Sequence, residues 1–116
     1  MTNKEFLSQY KDVIRLIKMN EERMQRNGYS DSLCEENEEL MRLKFLIEDA
    51  IVKSRCSIIE RTILWKRYIE GKKWETIAEE TIYSLQHVYR INRTALSKIS
   101  CDCYKMQNRF IFIKSY

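Results

Sequence analysis

The strongest structural signal in the chain lies in residues 73–99, which read KWETIAEETIYSLQHVYRINRTALSKI. Apolar residues recur there at helical spacing in two blocks, separated by polar residues that fit a turn of about three residues. Ile77 and Ala78 belong to the first block, in which a small residue allows a second helix to cross closely. One face of the second block holds residues at i, i+3 and i+7, namely Val88, Ile91 and Ala95. The pattern predicts two helices joined by a tight turn.

The opposite face of the second helix is polar, aromatic and basic. It consists of Gln86, His87, Tyr89, Arg90 and Arg93. No acidic residue lies between Ser84 and Ser100, whereas a solvated helix face usually mixes both signs of charge. A face of this kind is typical of a helix that reads the major groove of DNA, and an ordinary solvated surface is the alternative.

Two runs of sequence around this helix pair resemble region 4 of sigma-70-type factors. They are ERTILWKRYIEGKKWETIAEE at residues 60–80 and VYRINRTALSKI at residues 88–99. The layout of the whole chain is similar to that of phage-encoded ArpU-like transcriptional regulators of Gram-positive bacteria and their mobile elements. The resemblance implies a helix-turn-helix that binds double-stranded DNA, with a recognition helix over about residues 84–99 in the major groove.

The resemblance also implies which side chains contact DNA. Positions that match Leu85, Gln86 and Arg90 read bases, and positions that match His87 and Tyr89 lie nearer the phosphates. Arg suits the O6 and N7 atoms of guanine, and Gln suits the N6 and N7 atoms of adenine. Leu85 has no polar group with which to read a base. We therefore expect it either to contact a thymine methyl group or to be partly buried as a packing residue.

Further phosphate contacts are predicted from charge and from helix ends. Lys72 and Lys73 precede the first helix of the pair, whose free amides and dipole attract anions. Solubilising charge in a turn is the alternative for both. Arg93 and Lys98 are predicted phosphate contacts because they add positive charge to the second helix. Ser84, the expected N-cap at the start of that helix, is also a predicted phosphate contact.

The predicted turn departs from the family pattern at one position. Where these proteins often have Gly or Asn, this chain has Ile82. A β-branched residue tolerates a positive φ poorly, so we expect turn geometry that differs by a residue.

The composition favours an all-α fold. The 116 residues include no proline and two glycines, too few for the turns of a loop-rich β protein. The net charge of +4 is uneven, because residues 1–56 carry ten Lys or Arg against eleven Asp or Glu, whereas residues 57–116 carry eleven against six. Positive charge is concentrated in the half that holds the helix pair, as expected for a phosphate-binding surface.

Capping patterns predict where the helices begin. Thr2, Ser32 and Ser57 are each followed by glutamate three residues later, which matches the capping box, and Ser84 is a further N-cap. Five helices are predicted, over about residues 3–26, 33–53, 58–70, 74–80 and 85–107.

These helices predict three parts of the chain. Residues 1–56 form a helical hairpin that dimerises or binds a partner, because the hairpin has no net positive charge to attract DNA. Residues 57–109 form the helix-turn-helix domain, and we expect a fragment that starts near Ser54 to keep weak, salt-sensitive DNA binding while losing dimerisation. Residues 110–116 form an apolar tail that either folds back on the hairpin or awaits a partner.

Neither a metal, a cofactor nor enzyme activity is expected. The four cysteines are Cys34, Cys56, Cys101 and Cys103, which lack the paired Cys-x2-Cys spacing of zinc sites; reduced thiols are expected. The chain shows no Gly-rich phosphate loop and no nucleophile–base pairing. It also lacks an apolar run of about 20 residues and a signal peptide, so the cytoplasm is the expected location.

The predicted function is sequence-specific transcription regulation by a DNA-binding homodimer. One alternative is a phage-encoded adaptor or inhibitor that binds RNA polymerase or another host protein. Another is a DNA-packaging protein similar to a terminase small subunit. DNA binding should weaken steeply with added salt, whereas an apolar protein interface should weaken much less.

Overall fold

The computed structural model describes residues 2–100, and that part of the chain is helical with no β-strand. Its helices are α1 (Asn3–Ser8), α2 (Tyr10–Asn27), α3 (Asp31–Val52), α4 (Ile58–Leu64), α5 (Trp74–Thr81) and α6 (Leu85–Ser97). A π-helical turn (Trp65–Ile69) continues α4. The all-α prediction is confirmed. The predicted tail over residues 110–116 and the cysteines Cys101 and Cys103 lie outside the described residues.

The first predicted helix is interrupted. It begins with the predicted capping box, in which the Thr2 hydroxyl accepts from the Glu5 amide and the Glu5 carboxylate accepts from the Thr2 amide, both at 3.1 Å. The prediction of one continuous helix over residues 3–26 was wrong, because α1 ends at Ser8 and α2 begins at Tyr10. The interruption separates two packing roles, since α1 contacts α6 whereas α2 packs along α3.

The start of α3 differs from the prediction. The N-cap is Ser30, whose hydroxyl accepts from the Leu33 amide at 3.3 Å. The predicted capping box at Ser32 is wrong because Ser30 already has extended backbone directly after the turn at Gly28, where φ is +88°. A positive φ of this kind favours glycine and ends α2 sharply enough for α3 to return beside it.

The third predicted helix begins correctly but does not stay α-helical. The capping box of Ser57 is present at the start of α4. The last turn is wider than expected, because the Glu70 amide donates to the carbonyl of Trp65, five residues back, at 3.0 Å. Gly71 then ends the turn with φ of +71°. A π turn holds one residue more than an α turn, so the prediction of an α-helix to residue 70 was wrong.

The turn between α5 and α6 has three residues, as predicted. Its geometry is not altered by the isoleucine, because Ile82 adopts the left-handed conformation (φ 61°, ψ 28°) that Gly or Asn usually takes. The Tyr83 amide donates to the Ala78 carbonyl at 3.2 Å and the Ile82 amide to the Glu79 carbonyl at 3.3 Å, which is the Schellman arrangement. The expected departure in turn geometry was therefore wrong. The Ile82 side chain is 91% exposed.

The last helix is shorter than predicted. α6 ends at Ser97 rather than near residue 107. The Asn3 side-chain amide donates to the Leu96 carbonyl at 2.7 Å and to the Ile99 carbonyl at 3.0 Å. These bonds give the carbonyl groups of Leu96 and Ile99, at and just after the end of α6, a side-chain donor from α1, and they dock α1 against α6.

One apolar core joins the hairpin to the C-terminal helices across the predicted boundary at residues 56 and 57. Its buried residues include Phe6, Leu7, Leu43, Ile47, Leu64, Tyr68, Ala95 and Ile99. The buried Cys56 thiol donates to the Ala95 carbonyl at 3.5 Å. A smaller core of Ile63, Ile77 and Val88 joins α4, α5 and α6. The described residues therefore pack as one unit. None of their helices combines the length and apolar character that crossing a membrane requires.

Candidate functional site

The outer face of α6 carries a stripe of polar and basic side chains. Gln86, Tyr89, Arg90, Arg93 and Ser97 are all exposed. At about 100° per residue, they fall within an arc of about 100° of the helix. Val88 and Ala95 on the opposite face are fully buried. We call these five exposed residues the α6 stripe.

The basic and amide side chains of the α6 stripe have no polar partner among residues 2–100. Gln86, Arg90 and Arg93 form no side-chain hydrogen bond or ion pair with any other residue in the range 2–100. α6 itself contains no acidic residue. The stripe therefore presents one amide and two guanidinium groups that are free to bind an external acceptor.

The predicted base reader Leu85 is placed differently from the other two. It is half-buried at the start of α6, whereas Gln86 and Arg90 are exposed. The structure therefore brings Gln86 and Arg90 together one turn apart on the stripe and leaves Leu85 at its edge.

Aromatic contacts fix the borders of the α6 stripe. The Tyr89 ring meets the Trp74 ring edge to face, with centroids 5.3 Å apart. The His87 ring meets the Tyr83 ring in the same way at 4.7 Å. These contacts hold two predicted phosphate-binding residues in defined positions, Tyr89 at the edge of the stripe and His87 beside it.

Lys72, a predicted phosphate contact, is held in ion pairs. Lys72 Nζ lies 2.8 Å from Glu80 Oε2 and 3.2 Å from Glu70 Oε1. The hydrogen bonds to Glu80 and Glu70 raise the pKa of Lys72, and hydrogen bonds from Lys66 and then Lys72 lower the pKa of Glu80. Lys72 thereby ties the π turn to α5.

Lys98 is also committed within the protein. Its ammonium group lies 2.9 Å from Oε1 and 3.0 Å from Oε2 of Glu60. The Glu60 carboxylate is buried and accepts from the Ser57 amide at 2.7 Å. This backbone hydrogen bond, followed by the one from Lys98, lowers the pKa of Glu60. Lys98 therefore anchors the end of α6 to the start of α4.

The remaining predicted phosphate contacts are accessible. Lys73 is exposed and stands as the N-cap of α5, with no cap hydrogen bond from its side chain. Ser84 is the N-cap of α6, and its exposed hydroxyl accepts from the His87 amide at 3.1 Å. Because a hydroxyl has a donor as well as acceptor positions, Ser84 can still donate to a phosphate oxygen.

Sequence reasoning missed a second group of cations. Lys4, Lys11 and Arg67 line a cleft together with Trp74, although the N-terminal half was expected to contribute nothing to an anion surface. In the continuous helix that the sequence predicted, the i, i+4 and i+7 spacing of Lys4, Ser8 and Lys11 would place them on one face, and that pattern could have signalled a basic stripe. The near-zero net charge of residues 1–56 gave no indication of this basic group, because acids elsewhere in that segment balance it.

No group of three or more His, Cys, Asp or Glu residues suited to a metal ion occurs between residues 2 and 100. Within that range Cys34 and Cys56 are free thiols.

Comparisons with protein-family models, with curated proteins and with solved structures find no match for this chain. Its function is therefore inferred from its own residues.

Proposed function

We propose that this protein is a sequence-specific transcription regulator that binds double-stranded DNA and inserts α6 into the major groove. The observation that carries the proposal is the α6 stripe, on which Gln86, Arg90 and Arg93 are exposed and without partners among the described residues. α5, a three-residue turn and α6 follow in the order of a helix-turn-helix, and α4 packs behind them. Such a regulator works in the cytoplasm.

Base reading falls to Gln86 and Arg90. They are four residues apart, or about 6 Å along the helix axis, so both reach base edges within one half-site. Gln is matched to adenine, and Arg is matched to guanine. Leu85, half-buried beside them, serves packing or touches a thymine methyl group.

Phosphate contacts position α6 without reading sequence. Lys73 and Arg93 supply charge, and Ser84, His87 and Tyr89 supply side-chain donors near the groove edge. Lys72 and Lys98 are left out of this set, because their ammonium groups are held by carboxylates within the protein.

The test is a binding series on a selected duplex and on random duplex. Arg90→Ala should weaken binding to the selected duplex by about 1–3 kcal/mol and relax preference at one base pair. Lys73→Ala should weaken both duplexes alike and reduce the salt slope by about one. Arg26→Ala, an exposed change at the far end of α2, is the control and should leave binding unaltered. Identical behaviour of the Arg90 and Lys73 variants on both duplexes would remove the base-reading role of α6.

We further propose that the protein acts as a homodimer through the outer face of α3. Met41, Phe45 and Val52 are exposed along that face, at 37%, 56% and 55%. A dimer would place two copies of α6 on two half-sites, which increases affinity beyond that of one helix. Sedimentation of the purified chain should show a dimer at tens of micromolar, and Phe45→Ser should shift it to a monomer.

The second candidate function uses the same apolar face of α3. If the chain sediments as a monomer, a host protein such as RNA polymerase becomes the better occupant, and the protein would act as an adaptor or inhibitor. Binding that resists added salt would support this alternative.

A further inference from the structure

A cleft of about 180 Å³ lies between the N-terminal helices and the segment that joins the π turn to α5. Lys4, Ser8 and Lys11 line one side, and Arg67, Tyr68 and Trp74 line the other. The base of the cleft is formed by the larger apolar core, in which Tyr68 is buried together with residues of α1 and α2. We call it the α1–α5 cleft.

The charge of the α1–α5 cleft is positive and unbalanced. It is lined by Lys4, Lys11 and Arg67, and its described lining residues include no Asp or Glu. Lys4 and Lys11 form no ion pair or side-chain hydrogen bond with the rest of residues 2–100. Cations that face one cleft repel each other, and an anion bound between them would relieve that repulsion.

Arg67 is held ready for such an anion. Its Nη1 donates to the Lys72 carbonyl at 3.0 Å, and its guanidinium carbon lies 4.5 Å from the centre of the Trp74 ring. Only one of the five N–H donors of the guanidinium is used by that hydrogen bond. A planar, fixed guanidinium with free donors suits the oxygens of a phosphate group.

The α1–α5 cleft adjoins the α6 stripe. Trp74 lines the cleft, and its ring centroid lies 5.3 Å from that of Tyr89 in the stripe. The exposed Lys73, the N-cap of α5, lies in sequence between the cleft residues Gly71 and Trp74. A phosphate in the cleft would therefore belong to the same continuous surface as the residues that read bases.

We propose that the α1–α5 cleft binds a phosphate group, and that its source is the backbone of the duplex read by α6. This inference rests on the proposed function and extends it, because it brings α1 and α2 into the DNA interface. Lys4 and Lys11 neutralise phosphate charge, and Arg67, braced by Trp74, orients the oxygens.

The test compares salt dependence for matched double variants. Lys4→Ala/Lys11→Ala should lower the slope of log affinity against log salt by about two, since each lysine that contacts phosphate contributes about one. Arg23→Ala/Arg26→Ala removes the same charge from the exposed far end of α2 and should leave the slope near that of the native chain. Lys4→Arg/Lys11→Arg should retain the native slope. All four lysine and arginine positions are exposed, so neither double alanine variant should lower the thermal midpoint.

The outcomes separate this inference from the proposed function. If Arg90→Ala loses specific binding while Lys4→Ala/Lys11→Ala keeps the native slope, the cleft is not part of the interface and the inference is overturned. If the native chain binds no duplex at all, the proposed function fails, and pyrophosphate becomes the probe.

Pyrophosphate binding is followed by the nuclear magnetic resonance shifts of the Gly71 amide and the Trp74 indole, both of which belong to lining residues. Shifts that occur in the native chain and disappear in Lys4→Ala/Lys11→Ala would support a phosphate site that serves a small phosphorylated ligand. The absence of shifts in the native chain would overturn the phosphate site itself.

Discussion

At the scale of single residues, Glu60 joins two distant parts of the chain. Its carboxylate completes the capping box of α4 by accepting from the Ser57 amide and also binds the ammonium group of Lys98, 38 residues away. The capping box was predictable because it is local. The ion pair was not, and it removes Lys98 from the predicted phosphate contacts.

Glu60→Gln should make stability less dependent on pH. The folded-state pKa of Glu60 is lowered, so its stabilising effect is present above its unfolded pKa of about 4.3 and is lost as pH falls through the folded pKa. Gln can still cap α4 but cannot form the ion pair, so we expect a loss of about 1–2 kcal/mol at pH 7. Urea unfolding at pH 7 and at pH 3 measures this.

The difference between the native chain and Glu60→Gln should shrink at the lower pH. The exposed Glu79 on α5 provides the control, and Glu79→Gln should cause little change at either pH. A difference that stays constant between the two pH values would show that the Glu60 charge does not stabilise the fold.

At the scale of elements, the turn between α5 and α6 shows packing prevailing over local preference. Ile82 is the single non-glycine residue with positive φ among the described residues, and its side chain is 91% exposed. Within residues 2–100, no packing contact requires isoleucine at this position. The conformation is imposed by the flanking helices, which are held by Ile77 and Val88 in the smaller core.

Ile82→Gly should stabilise the protein. In the folded state, the left-handed conformation costs a residue with a side chain about 1–2 kcal/mol, which glycine avoids. Glycine also makes the unfolded chain more flexible, which lowers the free energy of unfolding by about 0.4–1 kcal/mol and offsets part of this gain. We therefore expect a gain in the free energy of unfolding of about 0.5–1 kcal/mol, measured by urea unfolding. Ile82→Ala keeps the backbone cost and should show no comparable gain. A glycine variant no more stable than the alanine variant would contradict this account.

At the scale of the whole molecule, the hairpin is part of the support for α6. Phe6 and Leu7 of α1 are fully buried in the core that also holds Leu64, Ala95 and Ile99. The apolar faces of the hairpin are thus largely covered from within, although Met41, Phe45 and Val52 stay exposed on the outer face of α3. The expectation that residues after Ser54 would bind DNA weakly by themselves does not fit this shared core.

A fragment of residues 54–116 should fail to fold cooperatively. Leu7→Ala in the full chain should lower the free energy of unfolding by about 2–5 kcal/mol, with α6 melting in the same transition as the hairpin. Ile14→Ala is the control, since Ile14 is 38% exposed on α2 and should cost much less. Circular dichroism melts measure both variants and the fragment. A cooperative, native-like melt of the fragment would show that α4–α6 form an independent domain.

The features that depend on neighbouring residues could be predicted from the amino-acid sequence. The helical class, the N-caps Thr2, Ser57 and Ser84, and the exposure of Gln86 and Arg90 follow from capping patterns and from a period of 3.6 residues. Each of these depends on residues within one or two turns of each other, so neighbours along the chain carry the information.

Long-range partners required the folded molecule. The acids that hold Lys72 and Lys98, the docking of Asn3 on α6 and the cleft between Lys11 and Arg67 join residues that are 8 to 93 positions apart or lie on different elements. Charge counted along the chain averages over both faces of every helix and cannot tell a paired lysine from a free one. The cleft forms where α2 packs against the π turn. This tertiary packing brings Lys4, Lys11 and Arg67 together without an acid among the lining residues, and the order of residues along the chain does not reveal it.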